Sequence, residues 1–229
     1  MLRREPVIRE SGTAAVESLI QRGAGAGVTT LSRAALKRDR VLPVPSGVAA
    51  ALRGSGLSGG LARGSVCCIS GPFRVSFTAA LLAAASASGA WIAWCSRVAP
   101  NCRALRDAGW HLDRFVWANP EGQWAACLGA VIGECEVVVT QMPHGVAPRE
   151  VRHVAAIARR SNGVLVVLVD NSHVGSSADT FSAEAVFDAR SATWATAGTG
   201  HLSVQQVHVV LGGRRVVEPQ GFPIVLGGS

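Results

Sequence analysis

Residues 71–78 have the spacing of a phosphate-binding loop but lack the side chains that such a loop uses. They read GPFRVSFT, follow the apolar run 65–70 and precede a stretch of small apolar residues. A working loop reads G-x-x-x-x-G-K-[ST]. Its glycines let backbone N–H groups surround the phosphates, its lysine reaches the β and γ oxygens, and its hydroxyl group holds Mg²⁺. The chemistry served by this spacing is therefore the binding and hydrolysis of a nucleoside triphosphate.

Two residues that this chemistry needs are replaced. Gly71 and Thr78 stand at the expected positions, whereas Ser76 replaces the second glycine and Phe77 replaces the lysine. Phe77 offers no charge to a triphosphate, and the Cβ of Ser76 disfavours the positive φ that glycine accepts. Arg74 is a cation, but it stands three residues before the lysine position. We expect a structural turn in which Phe77 fills the phosphate space, with no bound cofactor.

The acidic residues of an ATPase are also missing. Such an enzyme holds the Mg²⁺ shell with an aspartate at the end of a neighbouring strand, but the corresponding run, 135–141, ends in Thr140 and Gln141. The segment after the run 91–96 supplies no glutamate to activate water. Asp170 ends a similar run one strand–helix unit later and is interpreted as a loop or capping residue. The sequence therefore predicts a protein that is not an enzyme.

Strand-like and helix-like segments alternate through the middle of the chain, and the strand-like ones are apolar throughout. This pattern is typical of parallel strands covered on both faces by helices. The expected strands are 65–70, 91–96, 113–120, 135–141 and 163–171, and the expected helices are 78–89, 101–109, 122–133 and 148–161. We predict an α/β fold with a mainly parallel β-sheet flanked by helices.

The pattern changes after residue 171. Residues 172–182 are polar and loop-like, and three later segments alternate apolar and polar side chains, which indicates antiparallel strands at the edge of the sheet. These segments are 183–195, 203–212 and 214–219, with a hairpin turn at Gly212–Gly213.

The chain of 229 residues is long enough for one domain with small appendages. We assign residues 1–42 to an N-terminal helical appendage, 43–219 to the core domain and 220–229 to a C-terminal tail. Within the appendage, 13–22 is typical of a short amphipathic helix. Such a helix is too short to be stable alone, so both appendages are candidates for partner binding. The candidate contact residues are Val16, Leu19, Ile20, Phe222, Ile224 and Leu226.

Composition excludes several classes of protein. With 48% hydrophobic and 16% charged residues the chain is not disordered, and no apolar run is long enough for a transmembrane helix. The N-terminus has no apolar signal-peptide core, so we expect a cytoplasmic protein without membrane contact. The six cysteines form no C-x-x-C pair and the six histidines are scattered. Reduced core thiols and no metal site are therefore expected.

The net charge of +7 leaves two alternatives open, a DNA-binding surface and a generally solvated basic surface. The expected helix 148–161 carries the candidate DNA contacts Arg152, Arg159 and Arg160. The segments 142–148 and 172–182 contain few basic residues and no strong aromatic platform on which bases could stack.

The order of these pieces resembles the ATPase core of the RecA superfamily. Residues 43–82 resemble its opening, 108–120 resemble its third-strand segment, which ends in a proline, and 121–141 resemble the next helix and the Walker B strand. The residues that carry the opening are Ser46, Gly47, Leu52, Gly59, Gly60, Leu61 and Gly64, followed by the GPFRVSFT loop. Within the superfamily, the degenerate loop, the small size, the Ala/Arg-rich composition and the C-terminal strands most resemble the actinobacterial ImuA-prime (ImuA') family.

That resemblance implies a non-catalytic adaptor in SOS-induced translesion synthesis and mutagenesis. Its members are implied to bind ImuB, an inactive relative of Y-family polymerases, and to support an error-prone C-family polymerase, with the sliding clamp joining through ImuB. It also implies association with the nucleoid during this work. RecA remains open as a further partner, as does weak contact with DNA. The alternative is a divergent ATP-binding RecA-like ATPase or recombinase-type DNA-binding protein.

Overall fold

The described part of the chain, in a computed structural model, comprises residues 41–170, 174–197 and 201–226. The expected helix 13–22, with its candidate contacts Val16, Leu19 and Ile20, lies outside these residues. The first described strands, β1 (Val41–Leu42) and β2 (Leu61–Ala62), pair with each other in antiparallel orientation.

All the later strands of the described ranges join one eight-stranded sheet. In chain order they are β3 (Val66–Ser70), β4 (Ile92–Cys95), β5 (Phe115–Ala118), β6 (Val137–Gln141), β7 (Val164–Leu168), β8 (Ala185–Ala197), β9 (His201–Gly212) and β10 (Gln220–Leu226). Their order across the sheet is β10-β9-β8-β3-β7-β6-β4-β5. Neighbours from β8 to β5 are parallel, while β8, β9 and β10 pair in antiparallel orientation. The predicted mainly parallel sheet with antiparallel C-terminal edge strands is therefore confirmed.

Helices cover the two faces of this sheet. They are α1 (Ser46–Gly54), α2 (Arg74–Ala87), α3 (Cys102–Asp107), α4 (Trp124–Val131), α5 (Pro148–Ser161) and α6 (Val174–Phe181), with a 3-10 helix at Leu112–Arg114. Strand β3 shows why its sequence is apolar throughout. Cys67 and Ile69 join the core on one face, and Val66 and Cys68 join the core on the other. Successive side chains of a strand point to opposite faces, so both sets are buried.

Helix α6 occupies a segment that we expected to be a loop. Although the segment is polar in composition, Ser177 and Phe181 are buried. The ring of Phe181 packs against Trp124, with ring centroids 6.4 Å apart. Burial against a residue distant in sequence outweighs weak local propensity here.

The C-terminal segment also differs from the prediction. Residues 214–219 are not a strand; they belong to the connection between β9 and β10. Residues 220–226, assigned to a tail, form β10 instead, paired with β9 from Gln220 opposite Leu211 to Leu226 opposite Gln205. Phe222 and Ile224 are buried in the core. In this conformation they are unavailable to a partner, which corrects that part of the expected contact set.

Because β10 is part of the core, replacing Phe222 should destabilise the whole domain. We expect Phe222→Ala to lower the free energy of unfolding by about 3 kcal/mol, since a buried ring is removed. Val225→Ala, in the same strand but at an exposed position, should change it by less than about 0.5 kcal/mol. Urea denaturation followed by circular dichroism measures both. Equal, negligible effects would mean that the segment is a tail.

Candidate functional site

The phosphate-loop segment lies where β3 ends, at the carboxyl end of the parallel strands. Gly71 follows β3 directly, Asp170 lies two residues beyond β7, and Thr140 lies near the end of β6. Since β7 is the strand between β3 and β6, Asp170 is close to the loop and Thr140 is one strand further away. In open α/β sheets, ligands bind at this end of the strands.

The loop itself is shorter than the sequence indicated. Helix α2 begins at Arg74, not near Thr78, so residues 71–73 alone connect it to β3. The N–H of Arg74 donates to the Gly71 carbonyl oxygen at 3.3 Å, and the N–H of Phe77 donates to the Phe73 carbonyl oxygen at 2.9 Å. The backbone N–H of Phe77, at the lysine position, is thus engaged in a hydrogen bond at the start of the helix.

Phe77 and Thr78 point into the protein. Phe77 is fully buried, and its ring centroid lies 5.3 Å from that of Phe187 in β8. Thr78 is equally buried, and its hydroxyl group donates to the Arg74 carbonyl oxygen at 2.7 Å. Ser76, at the second glycine position, is exposed on the first turns of α2. The side chains at the lysine and magnesium positions are therefore engaged in packing and in helix hydrogen bonding.

Strand β8 runs beside β3, and its backbone at Ala189 closely approaches the loop. Its pairing with β9 shifts register between Ala189 and Ser191, and the Phe73 N–H donates to the Ala189 carbonyl oxygen at 3.4 Å. A Cβ on Gly71, which has φ of 96°, would collide with that same carbonyl oxygen. Glycine is required here for both its backbone conformation and the close approach of β8.

Arg74, at the start of α2, forms an ion pair with Asp170, which follows β7. The Arg74 Nη2 atom lies 3.0 Å from Asp170 Oδ1, and the two side chains are 27% and 37% exposed. Arg74 Nη1 also donates to the Gly71 carbonyl oxygen at 3.2 Å, and His144 Nε2 lies 3.8 Å from Asp170 Oδ2. Sequence reasoning missed this pair. The sequence feature that could have indicated the pair is the position of Asp170 at the end of a second apolar strand.

Thr140 is buried in a hydrogen-bond chain at the Walker B position. The Trp124 indole N–H donates to Thr140 Oγ1 at 2.8 Å, and that hydroxyl group donates to the Cys95 carbonyl oxygen at 3.1 Å. It joins α4 to β6 and β4, which is a structural use of the position.

The arginines Arg152, Arg159 and Arg160 are all exposed on α5. Arg159 Nη2 donates to the Phe181 carbonyl oxygen at 2.7 Å, at the end of α6. Their expected contact with DNA stays a prediction.

The six cysteines are free, and three of them, Cys67, Cys68 and Cys95, are fully buried. Burial raises the pKa of Cys67 to about 12, and burial together with two nearby glutamates raises the pKa of Cys135 to about 12. Among the described residues, no group of three or more His, Cys, Asp or Glu side chains could hold a metal ion. No helix in those ranges is long and apolar enough to cross a membrane.

The sheet order and the flanking helices define a RecA-like α/β fold. The fold is similar to that in the crystal structure of the RadB recombinase, with a TM-score of 0.54 and 15% sequence identity over 78% of this chain and 91% of that one. Residues 55–173, more than half of the chain, match the family model described as the MT3502 N-terminal domain, so the chain belongs to that family. No curated protein sequence matches it significantly.

Two glycines with nearly equal φ allow the destabilisation caused by the close approach of β8 to be measured separately from that caused by the backbone conformation. Gly71 has φ of 96° and meets β8, while Gly109 has φ of 92° and nothing near its Cβ position. Gly109→Ala should cost about 1–2 kcal/mol for the backbone conformation alone. Gly71→Ala should cost about 1–3 kcal/mol more because β8 must move. Chemical denaturation of both variants checks this, and equal destabilisation would contradict the observed close approach.

Restoring the loop motif should damage the fold without creating a nucleotide site. Phe77→Lys combined with Ser76→Gly places an unpaired cation against Phe187, so we expect stability to fall by at least about 3 kcal/mol. Val75→Lys, on an exposed position of the same helix, should change stability by less than about 0.5 kcal/mol. Denaturation and calorimetric titration with Mg-ATP measure the two effects. A stable double variant that binds ATP would refute the packing role of Phe77.

Proposed function

We propose that this protein is a RecA-like adaptor that works by holding partner proteins and does not turn over ATP. The observation that carries the proposal is the burial of Phe77 against Phe187 at the position of the phosphate-binding lysine. The hydroxyl groups of Thr78 and Thr140, at the two metal-binding positions, are engaged in hydrogen bonds to the protein. The side chains at these three positions are thus buried and engaged within the protein, which supports the proposal.

The partner that we propose is an ImuB-like inactive relative of Y-family polymerases. This step rests on the resemblance to the ImuA-prime family described above. The complex would act in SOS-induced translesion synthesis and mutagenesis and support an error-prone C-family polymerase, with the sliding clamp reached through ImuB. The proposed location is the cytoplasm, at the nucleoid during this work.

The hairpin of β8 and β9 offers a surface for such a partner. Strand β3 pairs with β8 only as far as Asp188, whereas β8 continues to Ala197. In register across β8, β9 and β10, the row of Ala192, Val207 and Ile224 is followed by the row of Trp194, Gln205 and Leu226.

The two rows differ mainly at Trp194. Val207 and Ile224 are buried in the first row. In the second row Gln205 is buried and Leu226 is half-buried against the core, whereas Trp194, on the same face, is 52% exposed. Trp194 therefore lies at the margin of the core, where part of its ring is left uncovered. Tryptophan is one of the residue types enriched at the energetic centres of protein interfaces. We call Trp194 and Leu226 the hairpin surface and propose it as the docking site, which retains Leu226 from the expected contacts.

Co-expression with the ImuB-like protein should give a complex that co-elutes in size-exclusion chromatography without nucleotide. Trp194→Ala should weaken that complex by about 2 kcal/mol or more, roughly thirtyfold in Kd. The control is Trp117→Ala, which removes a tryptophan that is 40% exposed on β5, at the opposite edge of the sheet. Isothermal titration measures both affinities. Separate elution, with ATP and single-stranded DNA also tested, would refute the adaptor proposal; equal weakening by both variants would refute the docking site.

The second candidate, a divergent ATP-binding protein, is favoured by one observation. The Arg74–Asp170 pair lies at the mouth of the loop and is partly exposed, so a cation is present there. A triphosphate would have to take Arg74 from Asp170. We therefore expect no saturable heat in a calorimetric titration with millimolar Mg-ATP. Saturable binding that Arg74→Ala or Thr78→Ala abolishes would establish this candidate and overturn the first.

A further inference from the structure

Three arginines meet at the end of the sheet opposite Gly71. They surround a pocket of about 360 Å³ lined by Arg159, Ser182, Ala183, Glu184, Arg214 and Arg215. Glu184 immediately precedes β8, and Arg159 lies near the end of α5, before β7 begins. The pocket is therefore at the amino ends of the parallel strands.

The positive charge of this pocket is not balanced. Glu184 is its one lining carboxylate among the described residues, and it pairs with Arg215 at 3.2 Å between Oε2 and Nη1. Arg159 donates to two backbone carbonyl oxygens, those of Phe181 and Ser182, at 2.7 and 3.3 Å. Arg214 has no ion pair or hydrogen bond within the described residues. Three guanidinium groups thus face one carboxylate.

The backbone fixes where these arginines stand. Gly213, with φ of 131°, brings the β9–β10 connection so close to β8 that a Cβ there would lie 2.7 Å from the Glu184 carbonyl oxygen. Arg214 and Arg215 follow directly. On the other side, a Cβ on Gly64 would lie 3.1 Å from the Arg159 carbonyl oxygen. These close backbone contacts therefore bring the three arginines together.

We propose that this pocket binds the phosphate groups of a nucleic acid backbone. A guanidinium group matches a phosphate with two parallel hydrogen bonds, and it does not lose its charge near neutral pH. Arg214 is available for such a contact, and Arg215 can exchange Glu184 for a phosphate. Because the pocket is concave, a phosphate group of a nucleic acid strand can enter it, whereas the flat surface of an anionic membrane cannot. The proposal is independent of the adaptor function and uses a surface remote from the hairpin surface.

The test is fluorescence anisotropy of labelled oligo(dT) with the full chain over a range of salt concentrations. Arg214→Gln combined with Arg215→Gln should weaken binding about tenfold or more. The slope of log K against log salt should fall by about 0.7 for each phosphate group of a single strand that the variant no longer neutralises. The matched control is Arg152→Gln combined with Arg160→Gln, which removes the same charge from α5 outside the pocket.

A third variant distinguishes loss of the phosphate contact from misfolding. Glu184→Gln removes the competing carboxylate and should tighten binding, an effect that misfolding does not produce. If the Arg214/Arg215 variant and the Arg152/Arg160 variant weaken binding equally, the proposal is overturned in favour of a general basic surface. If the Arg214/Arg215 variant binds as well as the wild type, or if the wild-type protein does not bind the oligonucleotide, the proposal is also overturned. Inorganic pyrophosphate is added as competitor, and displacement at micromolar concentration would identify a small phosphate ligand and overturn the nucleic acid assignment.

Discussion

The packing of α2 against β8 through Phe77 and Phe187 is the constraint on which the other features of this protein depend. Phe77 lies in the first turn of α2, which begins at Arg74 after a connection of three residues, 71–73, from β3. Two residues beyond Phe187, the Ala189 carbonyl oxygen of β8 approaches Gly71 so closely that only glycine fits. Strand β8 in turn carries β9 and β10. The ring contact that fills the position of the phosphate-binding lysine therefore also helps to anchor the C-terminal strands of the sheet.

The charged side chains beside the loop pair with each other. Arg74 and Asp170 belong to elements that flank the loop, and each neutralises the other at 3.0 Å. Both side chains are partly exposed, so solvent screening limits the pair to about 1 kcal/mol or less of stability. Its main consequence is electrostatic, since Asp170 neutralises the guanidinium group that stands beside the loop.

The sequence predicted the parts of the fold that depend on local pattern. Apolar runs located the five parallel strands β3 to β7, and the amphipathic pattern of 148–161 matched α5 at both ends. The errors occurred where burial depends on residues far away in the chain. Helix α6 is held by Phe181 against Trp124, and β10 is held by Phe222 and Ile224 against a core assembled from other elements. The substituted loop residues were recognised in sequence, but the Arg74–Asp170 pair and the arginine pocket needed the topology.

A single strand links the two surfaces that we propose for function. Strand β8 has 13 residues, a length of about 40 Å at the usual rise per residue. Glu184 of the arginine pocket immediately precedes it, and Trp194 of the hairpin surface lies near its far end. A nucleic acid at one end and a protein at the other would therefore not compete for space. Because β8 is hydrogen-bonded to β3 and β9, it would keep both ligands at a fixed separation, as an adaptor that needs no nucleotide-driven movement requires.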